Sequence, residues 1–211
     1  MQFSKQKGFT LVEIAIVLVI VGLLIGGVLK GQEMITNAKL KRIESDNAGI
    51  AAAMFSYQDR YLQLPGDDDG ADERFTIFNG DAATINGDSD GSISGAWQGA
   101  ANEETANFWK HLRASGLVPG GGNDDTQPTN AYGGNIGIRD GSLDIAGHVT
   151  IFGSIEGPIA SIIEARLDDG DPSTGRIQSE DLDTLMDVPG TTSLQTGKYA
   201  DNKRYFMAFR L

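Results

Sequence analysis

The chain has no cysteine among its 211 residues, which excludes a disulfide framework and a thiol nucleophile. It has six prolines, and the first of them is Pro65, so residues 1–64 contain no obligatory break in a helix. Basic residues are scarce as well. Seventeen Lys/Arg stand against 29 Asp/Glu, a net charge of −12, and that balance lacks the basic footprint of a nucleic-acid binder. Catalytic signals are missing too. Gly120-Gly121-Gly122 has no lysine after it, as a phosphate loop requires. Ser154, within Gly153–Gly157, is misplaced for a nucleophile elbow. The two histidines, His111 and His148, fall in a helical pattern and a strand pattern and read as structural. No enzyme is expected.

What the chain does have is one long apolar run near its start. From Phe9 to Leu29 the only charge is Glu13. As a helix this run reaches roughly 30 Å, the hydrocarbon thickness of a bilayer. A carboxylate within it costs about 2.5–3.5 kcal/mol on insertion scales and so asks for a compensating partner. The run is preceded by Lys5, Lys7 and Gly8. A secretory signal has a similar basic start, but its cut follows the apolar stretch at small residues, and no such site stands out between Leu29 and Lys41. Charge is unevenly divided: residues 1–45 hold six Lys/Arg and three Asp/Glu, the rest 11 and 26.

Lys7-Gly8-Phe9-Thr10-Leu11-Val12-Glu13 resembles the processing motif of the type IV pilin superfamily, which includes the pseudopilins of type II secretion. The resemblance implies cleavage between Gly8 and Phe9 by a prepilin peptidase, N-methylation of Phe9, and pairing of Glu13 with the Phe9 amine of a neighbouring subunit. Elementary electrostatics agrees, because an ammonium beside a carboxylate in low dielectric relieves the desolvation of both. It further implies a single-pass inner-membrane protein with its head outside the cytoplasm, stored in the lipid bilayer. From there an assembly platform builds it, with identical or homologous subunits, into a pilus or pseudopilus in the periplasm or at the cell surface. Counting positive charges leaves the orientation open, since Lys30, Lys39, Lys41 and Arg42 follow the run. Two other readings stay open: a minor or tip subunit, and a bitopic anchored protein that binds a ligand or cation.

Four segments follow: a leader at 1–8, an apolar half-helix at 9–31, an amphipathic half at 32–64, and a globular head at 65–211. Ile43, Ile50, Met54, Tyr57 and Tyr61 recur along one face, which predicts one helix over residues 9–61. Gly26-Gly27 is its expected bending point. Leu64-Pro65-Gly66 ends it.

In the head a short strand is predicted at 74–78. A helix is predicted after Asn102 as its cap, with Phe108, Trp109 and Leu112 inward and Gly116 as its stop. A solvent-facing loop is expected over 119–135. Strands are predicted near 135–139, 143–155 and 199–211. A helix opening at Pro158 is predicted to carry Ile159, Ile162, Ile163 and Leu167 on its inner side. The fold class is α+β: a long helix on an antiparallel sheet, a roll with long loops that also resembles the pilin family.

Two aspartate clusters are candidate calcium ligands, the only cofactor the sequence suggests. Asn86, Asp88 and Asp90 place oxygens at alternate positions before a glycine, as in the first half of a calcium loop, but Trp97 stands where the closing glutamate belongs. Asp168, Asp169 and Asp171 form the second cluster, although Asp-Gly and Asp-Pro make turns without an ion.

Overall fold

The computed structural model describes residues 9–75, 86–181 and 194–211. The chain divides into two compact units, one ending at Lys41 and one running from Arg42 to Leu211. A single helix, α1 (Leu11–Tyr61, 51 residues), carries sequence of both. It begins at Leu11 because Thr10 caps it, and it passes Gly26-Gly27 without interruption.

In the first unit the helix contains a stretch long and apolar enough to cross a membrane. Phe9, Leu11 and Val12 are exposed, as are the large apolar residues from Ile14 to Leu29. In the second unit the same helix buries Ile43, Ile50, Met54 and Tyr57 on one face, the spacing a helix needs to lay a stripe on a core. Thr150 Oγ1 donates to Asn47 Oδ1, and the Tyr57 and His111 rings stack with centroids 6.1 Å apart. Tyr61 is half-buried and packs on Tyr57 at 4.6 Å.

Leu64-Pro65-Gly66 ends the helix as expected, with Gly66 at φ +95°. The segment 71–74 is a helical turn, α2 (Ala71–Arg74), so Arg74 does not begin a strand; the remainder of that expected strand, 76–78, lies outside the described residues. The aspartates after Gly66 turn inward. Asp68 is fully buried and accepts from Tyr57 Oη at 2.6 Å, from the Gly70 amide at 3.0 Å and from Arg74.

Helix α3 (Glu104–Ala114) buries Phe108, Trp109 and Leu112. Its N-cap is Glu103, not Asn102, which sits at φ +72° one residue earlier. Glu103 uses its carboxylate to hold the preceding loop, accepting from the amides of Ala96 and Ala100. Gly116 ends the helix at φ +74°, and the amides of Leu117 and Val118 fold back onto the Leu112 carbonyl. The loop over 119–135 is not wholly turned to solvent: the Arg113 guanidinium reaches the carbonyls of Asp124 and Thr126, and Asn130 is buried.

Four antiparallel strands follow: β1 (Ile136–Ser142), β2 (Ile145–Glu156), β3 (Ile177–Asp181) and β4 (Arg204–Arg210), in the order β1-β2-β4-β3. One face gathers Val149, Ile151, Phe206 and Ala208 around Trp97. Gly137 permits this, since a Cβ there would lie 2.2 Å from the Trp97 carbonyl oxygen. On the other face Phe152 meets Phe209 edge-on at 5.1 Å. The closing strand is shorter than 199–211, because Tyr199 and the residues before Arg204 turn back toward α4 (Gly157–Leu167).

Helix α4 opens with Pro158 as expected, but its buried residues are Gly157, Ala160, Ile163 and Glu164. Ile162 and Leu167 are exposed. The inner face keeps Ile163, leaves Ile159 half-buried and brings Glu164 inside. Strand β3 had no sequence signal: Ile177 is its one large apolar residue, and Ser179, Glu180 and Asp181 are buried polar groups.

Candidate functional site

The N-terminus of α1 is built by four consecutive residues. The Thr10 carbonyl accepts the Ile14 amide at 3.3 Å, the first intrahelical bond, which makes Thr10 the N-cap. Its hydroxyl oxygen accepts the Glu13 amide at 3.3 Å, while Glu13 Oε2 accepts the Thr10 amide at 2.8 Å and the Thr10 hydroxyl at 2.9 Å. This reciprocal pair is a capping box, in which two orphan amides are satisfied by each other's side chains. The signal lies in the sequence as Thr-x-x-Glu, but inside an apolar run Glu13 reads first as a charge that needs a partner from outside its own helix.

Among the described residues nothing donates to Glu13 Oε1. The carboxylate is therefore half committed to its own helix and half available, at the start of an exposed apolar surface. Phe9 precedes the cap and is 82% exposed. Gly8 lies outside the described residues.

Residues 3–29 match the family described as the prokaryotic N-terminal methylation motif. The chain has the N-terminus of a type IV pilin-like prepilin. Comparison with curated proteins and with solved structures gave no match. A long N-terminal helix followed by a four-stranded antiparallel sheet is the α+β architecture of the pilin fold, and the prepilin motif points to a structural protein.

The two acidic clusters of the head differ from their sequence description. Around Asp88 and Asp90 the third carboxylate is Asp67, with oxygens of all three within 4.8 Å of one another. Asn86 is engaged elsewhere, exchanging hydrogen bonds with Asp72. Asp67 is buried, and burial raises its carboxyl above the usual range despite the backbone amides that lower it. Its oxygens accept the amides of Asp90 and Gly91 at 3.1 and 2.8 Å. Asp88 accepts the Asp90 amide and Asp90 accepts the Ser92 amide. This loop folds itself around its own carboxylates.

In the second cluster Glu164 joins Asp168 and Asp169, while Asp171 turns to the amide and hydroxyl of Ser173. Asp168 Oδ2 accepts the amides of Arg176 and Ile177 at 2.6 and 2.7 Å, closing the turn from α4 into β3. Gly175 makes room for that carboxylate, since a Cβ there would lie 2.2 Å from Asp168 Oδ2. Glu164 Oε2 accepts from the Tyr199 hydroxyl at 3.1 Å, and that hydroxyl accepts from Ser179 Oγ at 2.9 Å. Burial, together with the charges of Asp168, Asp169 and Asp171, pushes the Glu164 carboxyl up to about 8, against the lowering hydrogen bond from Tyr199. The sequence reading missed Glu164 because a lone acid in an amphipathic helix reads as solvent-facing.

His148 Nδ1 lies 3.4 Å from Asp140 Oδ1. His111 is buried and its Nδ1 accepts the Gly66 amide at 2.9 Å, a structural tie between α3 and the turn after α1.

Proposed function

We propose that this chain is the precursor of a filament subunit, cut between Gly8 and Phe9, methylated on Phe9, and assembled through α1 into a pilus or pseudopilus. Before assembly it sits in the inner membrane as a single-pass protein with its head outside the cytoplasm. Its partners are the prepilin peptidase, the assembly platform and other pilin-type subunits. The observation that carries this reading is the exposed apolar surface from Phe9 to Leu29, which lies within the methylation motif and holds Glu13 as its one charge. A helix apolar all round is stable only in lipid or against other helices, and a subunit that leaves one for the other exchanges equivalent surroundings. The Glu13 oxygen left without a donor by the capping box supports a pairing with the Phe9 ammonium of a neighbour.

The deciding experiment is intact-mass and N-terminal analysis of the protein from membranes of cells with and without their prepilin peptidase. The expected product begins at methylated Phe9 only when the peptidase is present. Retention of residues 1–8 in both strains refutes the filament reading and favours a bitopic anchored protein.

A further inference from the structure

The turn between α4 and β3 holds a carboxylate that its surroundings leave incomplete. Glu164 is 1% exposed, and its Oε1 has no hydrogen-bond partner. A buried acceptor without a donor is rare and asks for an explanation. Its carboxylate is turned toward two others, with one oxygen each of Glu164, Asp168 and Asp169 within 4.8 Å of one another. Two oxygens bound to one calcium ion at about 2.4 Å can be no further apart than about 4.8 Å. Three carboxylates therefore meet the reach of a single ion while one oxygen of Glu164 lacks any other partner.

We propose that Glu164, Asp168 and Asp169 bind a divalent cation of the hard, oxygen-seeking class, with calcium the best fit. Calcium takes six to eight oxygens and tolerates irregular geometry, so carbonyls of the turn and water complete the shell, whereas magnesium demands a tighter octahedron. The rest of the turn is already arranged to present the ligands: two backbone amides fix Asp168, and the Asp171 amide and Thr174 hydroxyl fix Asp169. Tyr199 holds the other oxygen of Glu164 and leaves Oε1 for the ion. The ion ties the end of α4 to the start of β3, where cross-linking by a disulfide is impossible. The Asp67, Asp88 and Asp90 cluster lacks such an unpartnered oxygen, which is why the proposal is confined to the α4–β3 turn.

The test is calorimetric titration of calcium chloride into the full-length protein in detergent micelles after stripping with a chelator. Wild type is expected to show one saturable site, Glu164→Gln and Asp169→Asn to bind at least tenfold more weakly, and an Asp88→Asn/Asp90→Asn double variant to match wild type. Magnesium chloride should bind more weakly than calcium. Asp169 is exposed, so its variant keeps the test decisive if Glu164→Gln fails to fold. Absence of saturable calcium binding in wild type overturns the site and makes Glu164 a buried protonated acid. Unchanged binding in both single variants, or loss in the double variant, also overturns it. The site does not depend on the filament reading, which the mass analysis tests separately.

Discussion

One helix carries two kinds of surface. From Leu11 to Leu29, α1 exposes nearly every large side chain it has, and from Ile43 to Tyr57 the same helix hides a stripe of four. The backbone is continuous across both, so the difference lies in patterning alone: apolar residues on every side in one half, apolar residues every three or four positions in the other. A stripe specifies a protein core, whereas an all-round apolar surface specifies only the absence of water. On the proposed reading the first half is free to exchange lipid for neighbouring helices, while the second half packs its stripe into the head.

The sharpest way to break this contrast is at Glu13, the polar exception on the exposed half. Glu13→Ala is expected to leave cleavage and membrane insertion intact and to abolish recovery of the subunit in sheared filaments; normal incorporation removes the assembly role. Next in size is Ile43→Ala on the buried half, which should destabilise the head by about 2–5 kcal/mol through lost burial and a residual cavity, read by denaturant unfolding of the full-length protein in detergent. Tyr57→Phe leaves the fully buried Asp68 short of one donor and should cost about 1–3 kcal/mol in the same assay. Smallest of all is Val19→Ala, expected to shift head unfolding by less than about 0.5 kcal/mol, because an exposed position has no core to lose. A Val19 effect as large as that of Ile43 would mean that the apolar half also packs on the head.

The sequence reads most clearly where one residue type has one physical use. The apolar run, the stripe of Ile43, Ile50, Met54 and Tyr57, the stops at Pro65 and Gly116, and the start at Pro158 all follow from periodicity or backbone chemistry. It reads least clearly where polar groups go inside. Strand β3 is hidden because Ser179, Glu180 and Asp181 are buried by tertiary pairing with β4, which overrides local propensity. Helix α4 is misjudged in rotation because Ile162 and Leu167 are left outside while Glu164 is taken in. The metal candidates show the same limit: spacing brought Asp88 and Asp90 together and placed Asp168 beside Asp169, but Asp67 comes from a part of the chain that only folding supplies, and Glu164, one helical turn before Asp168, joins because α4 buries it.

The capping box at Thr10 and Glu13 has a consequence for maturation. Because α1 is closed off at Thr10, the Gly8–Phe9 bond lies upstream of every hydrogen bond that defines the helix end. The proposed cut would remove residues 1–8, Lys5 and Lys7 among them, and turn a neutral peptide group into an ammonium one residue before the cap, leaving the hydrogen bonds of Thr10 and Glu13 in place. That ammonium faces the positive pole of the helix dipole, an unfavourable neighbour, and Glu13 is the nearby carboxylate that can balance both. On the proposed reading, processing resets the electrostatics at the start of α1 and leaves its cap as it was.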